Sequence, residues 1–258
     1  MNMKLIALMC VLVIASSCKQ QPASEAKNAD ETTVQFNHGE ALYQEGDYAG
    51  AEKEFRAVLA VRERVFGAEH GDTLESRHNL AETLRAQAKY AEAEREHRAV
   101  LAVRERILGP EHPATLISRN NLAVALGAQD KYAEAEREHR AVLAVEERMF
   151  GAKNPETATS RMGRAQILRM QNKNAEAEKE LRVVLEMRQR VLGVEHQAVF
   201  YSCFDLALCL EAQKKYEEAL GMARRVEAGW KRVMGEDHQK TKDAVNLREK
   251  IEAEMLGR

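Results

Sequence analysis

The sequence predicts an all-α protein built from a repeated helical hairpin, and three observations lead to that prediction. Apolar residues make up 45% of the 258 residues, but aromatic residues make up only 5%, and only 4 residues are proline. Strands favour aromatic and β-branched side chains, whereas this Ala-, Glu-, Arg- and Leu-rich chain favours helices. The segment "YAEAEREHRAVLAVRER" at 90–106 returns at 132–148 with one change, from Arg104 to Glu146. Five glycines follow one another at intervals of 42 residues: Gly67, Gly109, Gly151, Gly193 and Gly235.

Two further series keep the 42-residue spacing and show what one repeat contains. They are Ala51, Ala93, Ala135, Ala177 and Ala219, and Leu42, Leu84, Leu126, Leu168 and Leu210. Within one period, apolar residues at helical spacing predict a first helix near 73–88 and a second near 90–108. The glycine after the second helix predicts a left-handed C-terminal cap, and Pro113 and Pro155 suit the first turn of the next helix. Each period is therefore a hairpin that must stack on its neighbours to bury its apolar face.

One period resembles a known repeat closely. The segment "EHPATLISRNNLAVALGAQDKYAEAEREHRAVLAVEERMFG" at 111–151 resembles the tetratricopeptide repeat of the kinesin-light-chain-like, 42-residue type through "HP", "TL", "NNLA", "KYAEAE" and the closing "FG". The resemblance implies a right-handed superhelical solenoid of five antiparallel hairpins over 32–241, followed by a capping helix and tail over 242–258. It also implies that the first helix of each hairpin lines a concave groove that holds a peptide.

The N-terminus predicts export. In "MNMKLIALMCVLVIASSC" the apolar run at 5–15 is too short to span a bilayer. It resembles a bacterial lipoprotein signal, which implies a signal peptide at 1–17, a lipidated Cys18 and a flexible tether over 18–31. Lys19 favours the outer membrane of a bacterial cell envelope. Ala15 departs from the usual lipobox leucine, so a secreted or periplasmic soluble protein is the alternative.

Charge and motifs point away from several function classes. The net charge is -2, from 39 Lys plus Arg against 41 Asp plus Glu, so no field recruits nucleic acid. We find no nucleophile with a nearby base and no glycine loop for phosphate, and we expect no enzyme activity, cofactor or metal. The recurring loop histidines are interpreted as helix caps, His97 and His139 as buried residues, and Cys203 and Cys209 as buried thiols. An unrecognised hydrolase is the least favoured alternative.

The groove prediction rests on residues in register on the first helices. Asn37, Asn79 and Asn121 share one position, filled by Gly163 and Asp205 in the later copies, and could form a ladder of amides. The alternative is that these amides bond internally. For the apolar candidates, which also include Met162 and Met170, the alternative is ordinary packing. The predicted peptide-binding groove contains Phe36, Asn37, Tyr43, Asn79, Glu82, Arg85, Asn120, Asn121, Arg169, Tyr201 and Phe204.

Two more positions recur. Arg77, Arg119 and Arg161 are interpreted as stems that pair with helix-borne Glu. Trp230 stands where Arg62, Arg104, Glu146 and Arg188 stand, on a face predicted to be solvated, and is expected to be covered by the capping helix.

The sequence thus favours a non-catalytic, membrane-tethered scaffold that binds a protein or peptide partner. The alternative is an assembly component of an envelope secretion or pilus machine, which would use the convex face or the end of the array.

Overall fold

The computed structural model describes residues 23–152 and 154–257, and within them the chain is all α-helical. This part of the chain holds eleven α-helices, one 3-10 turn at Pro155–Thr157 and no strand. The helices are α1 (Ala23–Glu45), α2 (Tyr48–Phe66), α3 (Gly71–Ala86), α4 (Tyr90–Leu108), α5 (Pro113–Gly127), α6 (Tyr132–Phe150), α7 (Ala158–Met170), α8 (Asn174–Leu192), α9 (Gln197–Ala212), α10 (Tyr216–Met234) and α11 (Gln239–Leu256). The predicted fold class is confirmed.

The chain divides into two compact units, one ending at Ala88 and the other beginning at Lys89. In the first unit α1, α2 and α3 pack against one another. Its core contains Ala51, which has no exposed surface, and Phe55, whose ring meets that of Phe36 edge-on at 5.5 Å. Burying two aromatic rings gives this three-helix unit much of its apolar core.

In the second unit each helix from α4 to α11 packs against the next one along the chain. In addition α5 contacts α7, α7 contacts α9 and α9 contacts α11, so the first helices of successive hairpins also meet. A single apolar cluster runs from Ala158 in α7 to Ile251 in α11. This pairing of neighbours is what a stacked hairpin repeat requires, because no hairpin buries its apolar face alone.

The repeating glycines end the second helices, but not in the predicted conformation. All five have φ between 84° and 90°, and ψ lies between 150° and 168°. The positive φ was predicted correctly, whereas ψ excludes the left-handed helical region. This combination of angles is essentially restricted to glycine, so the requirement for glycine is stricter than a left-handed cap would impose. The N–H of each glycine donates to the carbonyl four residues earlier.

The turn inside each hairpin contains a positive φ that the sequence analysis missed. Gly46, Ala88, Asp130, Asn172 and Lys214 share this position, and φ lies between 59° and 86°. Because five different residue types occupy it, no composition signal marks it. The 42-residue spacing alone relates the five turns.

Both ends of the array differ from the predicted boundaries. Helix α1 begins at Ala23, so residues 23–31, predicted as flexible tether, are helical; this stretch contains three Ala and two Glu, and extending an existing helix costs little. Helix α11 begins at Gln239 rather than at 242, because Nδ1 of His238 accepts the N–H of Lys240 at 3.2 Å. The predicted signal peptide and Cys18 lie outside the described residues. Within the described residues, no helix combines the length and hydropathy needed to cross a membrane.

Trp230 is 2% exposed and belongs to the cluster that contains Ala244, Leu247 and Ile251 of α11, as predicted. The prediction for its counterparts was wrong. Nη1 of Arg188 donates to the carbonyl of Ala198 at 3.1 Å and to Oγ of Ser202 at 2.9 Å.

Arg62 and Arg104 repeat this contact with the residues ten and fourteen positions later. We call these three side chains the arginine clamps. They face the first two turns of the following helix, where a carbonyl oxygen and a seryl hydroxyl supply acceptors for the guanidinium.

Candidate peptide-binding clefts

The first unit contains a cleft of about 370 Å³ between α1 and α3. Its lining residues are Glu40, Ala41, Tyr43, Gln44, Phe55, Asn79 and Glu82. Three predicted groove residues, Tyr43, Asn79 and Glu82, therefore meet in one concavity. We call it the first cleft.

Polar contacts within the first cleft are made by side chains from both helices. Nδ2 of Asn79 donates to Oε1 of Glu40 at 3.2 Å. Oε2 of Glu82 accepts from Nε and Nη2 of Arg85 at 3.0 and 2.8 Å. The Asn79 amide thus bonds internally, as in the alternative to peptide contact. Arg85 is not part of the cleft lining but pairs with Glu82, which is.

Two predicted residues on α1 lie away from the first cleft. Phe36 is 6% exposed, packs on Phe55 and carries the guanidinium of Arg62 4.6 Å above its ring centroid. Its prediction as a groove anchor was wrong, because the side chain points between α1 and α2 and forms core. Asn37 is exposed but is not part of the cleft lining.

The second unit contains a comparable cleft of about 360 Å³, which we call the second cleft. It is lined by Val124, Gly127, Ala128, Asp130, Tyr132, His139, Gly163, Gln166, Ile167 and Met170. Val124 and Met170 keep 45% and 47% of their surface exposed, so the cleft presents apolar side chains to solvent. Of these lining residues, only Met170 was predicted from the sequence as a candidate anchor, and the rest of the site was not predicted.

Two glycines open the second cleft. A Cβ at Gly127 would lie 2.6 Å from Cδ1 of Ile167, and one at Gly163 would lie 2.4 Å from Cε1 of His139. The other repeats carry side chains at both positions, including Arg85 and Asn79. Gly163, in the register where earlier repeats have asparagine, was therefore the sequence feature that could have predicted this cleft.

Buried His139 and half-buried Asn120 form a pair at the second cleft. Nδ1 of His139, which is 3% exposed, lies 3.0 Å from Oδ1 of Asn120, and Nδ2 of Asn120 donates to Oγ of Ser160 at 2.9 Å. Burial lowers the pKa of His139 to about 4, so the ring is neutral near pH 7. Asn120 joins α5, α6 and α7 internally, which corrects its prediction as a groove residue. Asn121 is half-buried on the same helix.

The remaining predicted residues lie on α7 and α9. Tyr201 and Phe204 are half-buried and pack on Trp230 with ring centroids 5.5 and 5.2 Å away, which follows the packing alternative. Arg169 is half-buried. Burial raises the pKa of Asp205, and the positive charge of Arg169 partly opposes that rise.

The interpretations of the recurring Arg, His and Cys residues are confirmed. Arg77 pairs with Glu63, Arg119 with Glu105 and Glu138, and Arg161 with Glu147 and Glu180. His70, His112, His196 and His238 are N-caps whose Nδ1 accepts a backbone N–H. Cys203 and Cys209 are buried, and burial raises the pKa of both thiols, that of Cys209 to about 11.

Matches to models of known protein families show which family the chain belongs to. A tetratricopeptide repeat model matches residues 30–102, 78–145 and 119–190, and a second tetratricopeptide repeat model matches residues 205–240. The chain belongs to the tetratricopeptide repeat family. The comparison with curated proteins gave no match.

Solved structures of tetratricopeptide repeats share the fold. A point variant of the nearly identical TPR-like repeats assigned to a kinesin light chain of Podosopora anserina is 25% identical with a TM-score of 0.68, over 79% of this chain and 96% of that one. BtubC (BKLC) from P. vanneervenii is 16% identical with a TM-score of 0.65, over 86% and 94% of the two chains. The apo form of RapI is 15% identical with a TM-score of 0.67, over 83% and 81%. The last two likenesses concern the fold alone.

Proposed function

We propose that this tetratricopeptide repeat protein is a non-catalytic scaffold that binds a segment of another protein in its clefts. The observation that carries the proposal is the first cleft, where residues predicted from register alone, Tyr43, Asn79 and Glu82, line one concavity. Clefts with an aromatic or apolar lining and a few convergent polar groups are the usual form of binding sites. Tetratricopeptide repeats are typically non-catalytic, and proteins of this family commonly bind protein partners.

The magnitudes favour apolar contacts as the main source of affinity. Micromolar binding needs about 8 kcal/mol, and each hydrogen bond contributes roughly 0.5–1.5 kcal/mol net. Burying an exposed Val or Met side chain contributes up to about 1.5–3 kcal/mol. Val124 and Met170, each nearly half exposed, therefore offer more than the amides do.

Site-specific photo-crosslinking in intact cells tests the proposal. A benzophenone amino acid replaces Ala41 in the first cleft or Gln166 in the second, and the matched controls carry it at Ala60 and Ala144, exposed positions of α2 and α6 outside both clefts. We expect one protein to be crosslinked from the cleft positions and not from the controls. Crosslinks from the control positions alone, or from no position, would contradict the proposal.

We further propose that Cys18 carries a lipid that tethers the scaffold to the bacterial envelope, with the outer membrane favoured. The support is the signal-like sequence at 1–18. Replacing Cys18→Ser should move the protein from the membrane fraction to the soluble fraction. An unchanged distribution would argue against lipidation.

A permanent assembly role is the second candidate, and one observation favours it. The ends of α4, α6 and α8 expose apolar pairs that are 42–54% accessible: Ile107, Leu108, Met149, Phe150, Val191 and Leu192. Exposed apolar patches are typical of stable interfaces. Partner capture that survives high-salt washing and is lost on Phe150→Ser, but not on Val124→Ser, would favour assembly over cleft binding.

A further inference from the structure

We propose that the first cleft selects a basic side chain, lysine or arginine, in the bound segment. This inference rests on the proposed function and names the kind of segment that the first cleft accepts. Three features carry it: the charge of the lining, the open oxygen of Glu40 and the aromatic ring of Tyr43.

The lining of the first cleft is negative. Glu40 and Glu82 both line it, and no Lys or Arg does. Arg85, beside the cleft, donates two hydrogen bonds to Oε2 of Glu82 and balances that charge. The carboxylate of Glu40 then leaves a net charge of about -1 facing the cleft, and a charged group facing a cleft selects the opposite charge in a ligand.

Glu40 keeps hydrogen-bonding capacity for a ligand. It is exposed, and the neutral amide of Asn79 donates from Nδ2 to its Oε1 at 3.2 Å. No cationic side chain of the described residues lies within salt-bridge distance of Glu40. The Asn79 amide orients the carboxylate without neutralising it, so Oε2 can accept from an ammonium or guanidinium.

The ring of Tyr43 suits the stem of a basic side chain. Phe55 also lines the cleft but is only 1% exposed, whereas Tyr43 is half-buried with its ring held edge-on to Tyr48 at 5.3 Å and offers apolar surface to a ligand. Lysine and arginine lay their methylene stems on apolar surface and keep the charged end at a polar rim. A cation near the face of Tyr43 would gain further attraction from the ring.

Other occupants fit less well. An acidic side chain would meet the uncompensated charge of Glu40, and like charges brought together disfavour binding. An uncharged apolar side chain would leave the Glu40 carboxylate partly desolvated with no cation to compensate, which also costs free energy.

Selection from random dodecapeptides displayed on phage tests the inference with the full chain immobilised. We expect the selected peptides to share a lysine or arginine. Their affinity should fall about tenfold for Glu40→Gln and should fall with rising NaCl for the wild type more than for the variant. The matched control is Glu45→Gln, which removes the same charge from exposed surface of α1 outside the cleft and should change the affinity less than twofold.

The outcomes separate the inference from the proposed function. Selected peptides that lose affinity on Tyr43→Ser but contain no shared basic residue, or that bind Glu40→Gln as tightly as wild type, would overturn the inference and leave cleft binding intact. Peptides that bind independently of Tyr43 and Val124, or failure to select any peptide, would overturn both.

Discussion

At the scale of single residues, Gly163 shows how a missing side chain shapes a site. The imidazole ring of His139 packs so closely against the backbone of Gly163 that a Cβ on this residue would lie 2.7 Å from Nε2. The ring is held in place by its hydrogen bond with Asn120. The glycine is needed for contact distance, since it lies inside helix α7 with no turn to make. Helix propensity alone would favour alanine at this position by about 1 kcal/mol.

We therefore predict opposite effects for two Gly→Ala changes. Gly163→Ala should lower the free energy of unfolding by about 1–2 kcal/mol, because the His139 ring must leave its bonded position. A Cβ at Gly221, in helix α10, would have no atom within 4 Å, so Gly221→Ala should raise the free energy of unfolding by roughly 0.5–1 kcal/mol. Urea unfolding of both variants measures the difference. Stabilisation by both changes would show that the ring is not held against Gly163.

His139 also predicts a pH dependence of stability. Its pKa is about 4 in the folded chain and about 6.5 when unfolded, so the unfolded state binds the extra proton between these values. The contribution of neutral His139 to the free energy of unfolding is complete above about pH 6.5. As pH falls toward 4 this contribution is lost, and the free energy of unfolding drops by up to about 3 kcal/mol. Unfolding measured at pH 7 and pH 5 should show a smaller loss for His139→Gln than for wild type. Equal losses would contradict the lowered pKa.

Two buried carboxylates also make stability depend on pH, but they do so at lower pH than His139 and do not interfere with this test. Burial opposes ionisation of Glu94, but hydrogen bonds from Lys131, Arg98 and Gln129 outweigh it and lower the pKa to about 2. Glu178 behaves in the same way with Lys215 and Gln213. Their stabilisation is lost only as pH falls below about 4.5 toward 2.

At the scale of helices, the arginine clamps tie three second helices, α2, α4 and α8, to the helix that follows each of them. Arg188 is half-buried in α8, and burial lowers its pKa, yet its two acceptors on α9 hold the guanidinium. Arg182, on the same helix, is a surface residue with 45% of its side chain exposed and pairs with Glu178 and Glu218.

We predict that the two arginines differ in their contribution to stability. Arg188→Met should lower the free energy of unfolding by about 1–3 kcal/mol, because hydrogen bonds between helices are lost at a half-buried site. Arg182→Met should lower it by less than about 1 kcal/mol, as is usual for exposed ion pairs. Calorimetric melting curves compare them, and equal effects would show that the clamp contributes no more than a surface pair.

Helices were the part of the structure that the sequence predicted best, since the 42-residue spacing and apolar register located α4 at 90–108 as observed. The arginine clamps were missed because a long polar side chain in register looks the same whether it faces water or a neighbouring helix. The first-helix boundary at Ala23 was missed because low hydropathy was interpreted as flexibility, although helix formers populate that stretch.

At the scale of the whole molecule, repetition predicted the family and part of the first cleft. Tyr43, Asn79 and Glu82 were found because register placed them on first helices. Phe36 was misplaced, since successive residues of a helix point about 100° apart and the sequence does not show which way α1 faces. The second cleft was missed because it is formed by absent side chains.

If the clefts hold the partner, removing their side chains must weaken its binding, and this can be measured by titration. Isothermal titration of the crosslinked partner compares wild type with Tyr43→Ser, Val124→Ser and the control Val34→Ser, a residue 71% exposed on α1 outside the first cleft. The account predicts that each cleft variant raises Kd at least about fivefold, from the loss of roughly 1 kcal/mol or more of apolar burial, with unchanged circular dichroism. It also predicts that Val34→Ser leaves Kd within twofold. Equal Kd values for all four proteins would contradict it.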